Sequence, residues 1–251
     1  MTAAVDILVG IDDTDNLDSR GTGELAAELA AAIDDNGWGR SGFVSRHQLL
    51  VHPEIPYTSH NSAMCFSARL VEGMLTDFIA YAGRFLESAS AAGSDPGLCV
   101  FERGSDCSGE QLVEFGRVAK REVLTKAEAL SLAAELGVHL SEHGGSGDGV
   151  IGALAGVGLR LGGCDGRLRG ELHFAEGLEV LSVADLCGHP FVDRVEGLGG
   201  QPVGPLERVR LGIAVKTVLR EGESVLLVTP LAGDKDKAGW QTCHRRLLKV
   251  F

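Results

Sequence analysis

Val9-Gly10-Ile11-Asp12-Asp13-Thr14-Asp15, continuing through Asn16 and Asp18 to Arg20-Gly21-Thr22-Gly23, is the stretch on which the reading of this chain turns. The apolar run from Val5 to Val9 predicts a short buried strand, and three carboxylates (Asp12, Asp13 and Asp15) arrive at its C-terminal end. Like charges packed this closely repel one another unless water, a cation or a basic partner lies among them. Hard oxygen ligands at a strand end, followed by glycine-rich backbone entering a helix, suit Mg²⁺ carrying phosphates. An acidic surface turn is the alternative, because such turns commonly follow strands.

Outward from that stretch, Leu25, Leu29 and Ile33 recur at helical spacing and predict a helix over 24–35, with Gly37 as its stop. Residues 43–51 read as a strand. Two prolines make 52–57 an extended connection, since each removes a donor and biases its predecessor away from helix. Residues 61–71 read as a strand buried on both faces. An amphipathic helix is predicted over 74–90, ended by the small residues, glycine and proline of 89–96, and a buried strand over 98–101. Ser108-Gly109-Glu110-Gln111 and Thr125-Lys126-Ala127-Glu128 both match the capping box and mark two helix starts. A strand over 138–141 then leads into a second glycine-rich element.

That element, His143-Gly144-Gly145-Ser146-Gly147-Asp148-Gly149-Val150-Ile151-Gly152-Ala153-Leu154-Ala155, places four glycines in six positions before a small-residue helix. Such a loop can offer unhindered N–H groups to an anion, which makes Gly144, Gly145, Gly147, Gly149 and Gly152 candidates for nucleotide binding. It is not a Walker A loop, because no Lys-Ser or Lys-Thr follows, and its glycine order is not a Rossmann fingerprint. A flexible connection, or a helix with a small face for close packing on a sheet, accounts for the same residues.

Past Gly162 the texture changes to short β-rich segments. Strands are predicted over 167–174 and 178–182, with a hairpin of 209–219 and 224–229 across Glu221-Gly222. The expected organisation is a nucleotide-binding catalytic region over 1–162 and a β-rich module over 163–251, an α+β protein overall.

The chain has 251 residues, 44% of them hydrophobic and 23% charged, the composition of a soluble globular protein. No apolar run is long enough to span a bilayer and no signal-peptide pattern opens the sequence, so the expected setting is cytoplasmic, without a membrane partner. Six scattered cysteines without a CxxC pair predict reduced thiols and no zinc ribbon. The net charge of −12, with 35 acidic against 23 basic residues, argues against an extended phosphate-binding surface and makes tRNA an unlikely partner.

Three blocks, Gly10-Ile11-Asp12-Asp13-Thr14-Asp15, Pro53-Glu54-Ile55-Pro56-Tyr57 with Asn61-Ser62-Ala63, and Gly149-Val150-Ile151-Gly152-Ala153-Leu154-Ala155, resemble in the same order the archaeal tRNA-isoleucine agmatidine synthetase family. The resemblance implies a mixed α/β kinase-like domain with a ferredoxin-like region, using ATP and Mg²⁺ to activate a cytidine carbonyl that agmatine then displaces. On matching positions it implies that Asp12, Asp13 and Asp15 hold Mg²⁺, that Asn61 lines the nucleotide or acceptor site, and that Gly147, Gly149 and Gly152 lie in the phosphate block. The chain departs from the family at Thr58-Ser59-His60, where a basic pair is replaced, and at Thr22-Gly23-Glu24, where Thr22 is the hydroxyl nearest to a phosphorylated threonine. The family's zinc ribbon has no counterpart here.

These residues predict an ATP- and Mg²⁺-dependent phosphoryl-transfer enzyme, kinase-like or ligase-like, acting on a small molecule or free nucleotide, with Arg20 and Arg46 as cationic help and His47, His52 or His60 as proton carriers. Three alternatives stand beside it. They are a tRNA cytidine-modifying enzyme like the synthetase, a non-catalytic nucleotide sensor, and a haloacid-dehalogenase-like phosphatase with Asp13 as nucleophile.

Overall fold

The computed structural model describes residues 4–55, 60–104, 109–175, 177–231 and 238–251. The chain divides into two compact units, Met1–Gly162 and Gly163–Phe251. Both mix helix and strand in an α+β fold, and no helix among the described residues is long and apolar enough to cross a membrane.

In the first unit β1 (Ala4–Asp12), α1 (Thr22–Asp35), β2 (Gly39–Gln48), β3 (Ser62–Val71), α2 (Leu75–Ala89), β4 (Gly97–Glu102), α3 (Glu110–Val118), α4 (Lys126–Leu136), β5 (His139–Glu142) and α5 (Gly149–Gly162) follow in order. The sheet runs β5-β4-β1-β3-β2, each neighbour antiparallel, with β1 at its centre. Alternation along β1 divides two cores. Ile7, Val9 and Ile11 pack with Leu25, Leu29 and Ile33 of α1 and Phe78, Ala82 and Leu86 of α2. Leu8 packs on the other face with Leu112 of α3, Ala129 and Ala133 of α4, and Val150, Ala153 and Val157 of α5. Covering on both faces is why the strand reads as an unbroken apolar run.

The α5 helix lies unusually close to that sheet because glycines line the contact. A side chain on Gly10 would collide with the carbonyl oxygen of Ala153, and one on Gly156 would meet the Ala63 methyl at 2.9 Å. The small face of α5 is therefore a packing face, as the second reading of the glycine-rich block supposed. Local signals hold where they are strong. Thr125 and Glu128 form the reciprocal cap of α4, with the Thr125 N–H donating to Glu128 Oε2 at 2.7 Å and the Glu128 N–H to Thr125 Oγ1 at 3.3 Å. Ser108 lies outside the described residues, and α3 starts after Gly109 at φ 69.

In the second unit β6 (Arg167–Leu168), β7 (Val180–Ser182), α6 (Val183–Leu186), β8 (Arg194–Gly197), β9 (Arg208–Arg210), β10 (Val218–Arg220), β11 (Glu223–Pro230) and β12 (Trp240–Thr242) lead to a 3₁₀ turn over Leu247–Val250. Strands follow the order β6-β10-β11-β12-β9-β7, with β8 parallel to β11. The buried run Val225 to Val228 makes β11 its centre. The β10–β11 hairpin turns through Glu221 and Gly222, both at positive φ, but the expected long first arm is broken: Val209 belongs to β9, paired with β7 and β12. The strand expected over 167–174 is limited to Arg167–Leu168.

If the approach of α5 is fixed by the missing side chain at position 10, Gly10→Ala should cost about 2 kcal/mol of stability through overpacking against helix backbone. Urea denaturation measures it, and an unchanged midpoint would show that α5 moves aside freely.

Candidate functional site

The acidic turn is built by the end of β1. Asp12 is its last residue, and Asp13 follows in the left-handed region at φ 53, a conformation that Asp tolerates better than most side chains. The turn is held by hydroxyls: Thr14, buried, donates through Oγ1 to Thr22 Oγ1 at 3.1 Å, tying the turn to the first residue of α1. The Asp12 carboxylate accepts the Asp13 N–H and lies against Gly152, where any side chain would strike Oδ2. The Asp13 carboxylate accepts the Asp95 N–H. A side chain on Gly21 would begin 3.6 Å from Asp15 Oδ2.

These groups line one cavity of about 520 Å³, within the roughly 300–1,000 Å³ usual for small-ligand sites. Asp12, Asp13 and Asp15 form its acidic wall; Thr22, Arg46, His60, Asn61, Lys126, Asp148, Gly149 and Gly152 also border it. Burial, and then the charges of Asp13 and Asp15, push Asp12 up to about 7. Burial, with Asp95, Asp15 and Asp148 nearby, pushes Asp13 up to about 6.

Several candidate residues stand differently from their expected roles. Gly144, Gly145 and Gly147 do not border the cavity. Gly145, at φ 54, leaves room for Asp95, whose Oδ1 accepts the Ser146 N–H, and Gly147, at φ 76, leaves room for Glu142. The first amides of α5 are already engaged: Gly149 N–H donates to Asp95 O at 3.0 Å, Val150 N–H to Gly147 O at 3.3 Å and Ile151 N–H to Asp148 O at 3.0 Å. These bonds make the loop a buttress that seats α5 behind Asp12, while Gly149 and Gly152 border the cavity. Gly149 itself is not at positive φ. Arg20 is absent from the lining; its guanidinium pairs with Glu28 on the exposed side of α1. The Asn61 amide donates to Leu50 O at 2.6 Å and fixes the wall that it lines.

Sequence reading passed over Asp95, Asp148 and Lys126. Asp95 sits in Ser94-Asp95-Pro96-Gly97, an ordinary turn signal. Lys126 donates to Glu142 Oε2 at 2.9 Å and Ser146 O at 2.6 Å, so it pins the glycine-rich loop while bordering the cavity. Among the described residues no three His, Cys, Asp or Glu side chains converge into a ready-made metal cage. An open acidic wall still fits Mg²⁺, which keeps waters and is held by one or two carboxylates together with substrate phosphates. Two carboxyls pushed up by burial and by neighbouring carboxylates fit the same ion.

The sign of the pH effect follows. Raised folded-state values mean that the native protein keeps protons the unfolded chain has lost, so without metal these groups lower stability as pH rises from about 4 to about 7. Asp12→Asn should therefore stabilise the metal-free protein at pH 8 by about 1 kcal/mol and leave it unchanged near pH 4. Urea melts in chelator at both pH values check this, and an equal effect at the two would remove the repulsion from the account.

The fold is similar to that of crystal structures of TiaS, an agmatidine synthetase acting on an isoleucine tRNA. With TiaS in complex with that tRNA and ATP the identity is 26% and the TM-score 0.54, over 61% of this chain and 36% of that one. A tRNA fluorescent labeling enzyme matches at 27% and 0.52, over 61% and 36%, and apo TiaS at 25% and 0.53, over 61% and 35%. The chain spans little more than a third of the length of these proteins. No family profile matches the sequence, and no curated protein does. The expectation that tRNA is an unlikely partner is overturned here, because a structure to which this fold is similar is a complex with tRNA. Over 61% of its length the chain is similar in fold to the tRNA-isoleucine agmatidine synthetases, and it carries the three ordered blocks that the resemblance rests on.

Proposed function

We propose that the chain is an ATP-dependent enzyme that modifies tRNA, with ATP and Mg²⁺ held in the cavity beside Asp12, Asp13 and Asp15. The observation that carries the reading is this acidic wall, at a strand end in a cavity of nucleotide size, in a fold similar to an enzyme crystallised with an isoleucine tRNA and ATP. Asp12, Asp13 and Asp15 would hold the Mg²⁺, which would supply neutralisation of the charge that develops during phosphoryl transfer.

The chain's own groups do the positioning. Asp12 and Asp13 would hold the cation in their ionised form from the end of the central strand, and the Thr14–Thr22 bond keeps the turn in register with α1. Arg46, steered by its Nε bond to Ser62 Oγ at 3.0 Å, brings a guanidinium to the border of the same cavity. His60 also borders the cavity, where an imidazole can take up or release a proton near neutral pH. Thr58 and Ser59, where the family's basic pair is replaced, lie outside the described residues.

The small-acceptor kinase reading rested on net charge, on the replaced basic pair before Asn61 and on the missing zinc ribbon; of these, net charge is an average over the chain and does not describe a local surface. The phosphatase reading, with Asp13 as nucleophile and Asp15 as acid, has no structural similarity such as that to TiaS behind it.

Total tRNA, ATP, Mg²⁺ and a panel of amines including agmatine test the proposal, with nucleotide products and digested nucleosides read by mass. ATP consumption should rise at least about tenfold with tRNA, a new nucleoside mass should appear, and Asp13→Asn should lower the rate by roughly a hundredfold or more. Equal ATP consumption with and without tRNA, and unaltered nucleosides, would sink it.

A further inference from the structure

The end of the central sheet away from the acidic wall carries the opposite charge. On β1, Asp6 precedes Asp12 by six residues on the same face, roughly 20 Å at about 3.3 Å per residue. Asp6 stands opposite Arg69 of β3, and Arg69 stands opposite Arg40 of β2. Arg103, just past β4, donates its N–H to Asp6 O at 2.7 Å, which brings a third arginine to the row. These residues line a surface hollow of about 400 Å³ with Ser41, Gly42 and Ser67 at its floor. A side chain on Gly42 would meet Ser67 Oγ almost at bonding range, so the glycine keeps the hollow open beside the bulge of β2 between Ser41 and Val44.

Arginines opposed across a strand pair repel one another and cost stability unless an anion lies between them. Two are held in place: Arg69 forks onto Asp6, with Nε to Oδ1 at 2.8 Å and Nη2 to Oδ2 at 2.9 Å, and Arg40 reaches Asp34 Oδ1 at 3.4 Å. Both side chains remain open to solvent, 68% and 88% exposed, so the clamps orient guanidinium edges outward without burying them. Glu102 sits opposite Ile7 and belongs to the other face. At the last turn of α5 a fourth arginine, Arg160, lies over the Phe43 ring at 4.2 Å, with a buried Nη1 that has no hydrogen-bond partner among the described residues, and its charge reaches Arg103. Arg160 is buried and does not line the hollow, so three guanidiniums stand there against two carboxylates, Asp6 and Asp34, a local surplus of one positive charge on a chain of net charge −12.

We propose that this row binds phosphates of an RNA backbone, and that it holds tRNA at the end of the sheet remote from the nucleotide cavity. Open, planar, pre-oriented guanidiniums in a shallow hollow suit the bidentate recognition of backbone phosphates. The inference rests on the proposed tRNA reading, but it concerns grip and not chemistry.

The test is a double variant, Arg40→Ala with Arg103→Ala, which leaves the Arg69–Asp6 clamp and the cavity untouched. Affinity for total tRNA is followed by anisotropy from 50 to 200 mM salt, beside ATP binding without tRNA. The variant should bind tRNA about three- to tenfold more weakly, with a log–log salt slope shallower by about two, and bind ATP as before. An unchanged slope and affinity overturns the inference, as does absence of tRNA binding by the unaltered protein. Inorganic phosphate distinguishes the other source of this chemistry: if it raises the melting temperature of the unaltered protein but not of the variant while tRNA affinity is equal in both, the hollow is a small-anion site and the proposal fails. Loss of grip in the variant of a protein that alters no nucleoside would leave this inference standing and remove the proposed activity.

Discussion

The closeness of α5 to β1 is the constraint on which the first unit depends. A side chain at Gly10 or Gly152 would force the helix off the strand, in one case by meeting backbone and in the other by meeting the Asp12 carboxylate. With the helix seated, Leu8 and the α5 apolar residues share one core, and the strand end carrying the acidic turn is buried against the start of the helix. The same contact therefore serves stability and function. It closes a core, and it takes water away from Asp12, which is what makes that carboxyl hold its proton and favours a cation in its place.

That coupling explains why the glycine-rich loop is built as it is. Its amides are spent on Asp95 and on carbonyls of its own turn, and Lys126 ties it to Glu142 and Ser146. A loop bound so thoroughly is a firm support for the start of α5. The polar groups that the cavity presents are then side chains, the carboxylates of Asp12, Asp13 and Asp15 with the Arg46 guanidinium also on its border, and of these Asp12 and Arg46 are fixed by strands.

What was legible in the residues follows from how local each signal is. The apolar run ending in carboxylates marked β1 and its turn, the helical spacing of Leu25, Leu29 and Ile33 marked α1, and the Thr125–Glu128 box marked α4 to the residue. The second unit was legible only as β-rich, because strands of two to four residues such as β6, β7, β9 and β10 are too short for alternation to register. In the site, Asp12, Asp13, Asp15, Thr22, His60 and Asn61 were named from sequence and border one cavity. Asp95, which bonds Asp13, and Asp148, which borders the cavity, were not, since nothing local connects them to a carboxylate roughly eighty or more positions earlier. Arg20 failed for the opposite reason: adjacency in sequence to the acidic turn suggested a partner, while a glutamate two helical turns on was the nearer one.

Charge shows the same limit of averaging more sharply. A total of −12 describes diffusion and solubility, yet an RNA phosphate within a Debye length of about 8 Å responds only to the groups beside it. In the first unit those groups are sorted along one strand, with carboxylates at Asp12 and Asp13 and arginines gathered round Asp6. A long polyanion brought to such a surface is attracted at one end and repelled at the other unless a cation sits among the acids. On the proposed reading, a cation among the acids would weaken that repulsion at the far end of the sheet and leave the attraction at the arginines unchanged.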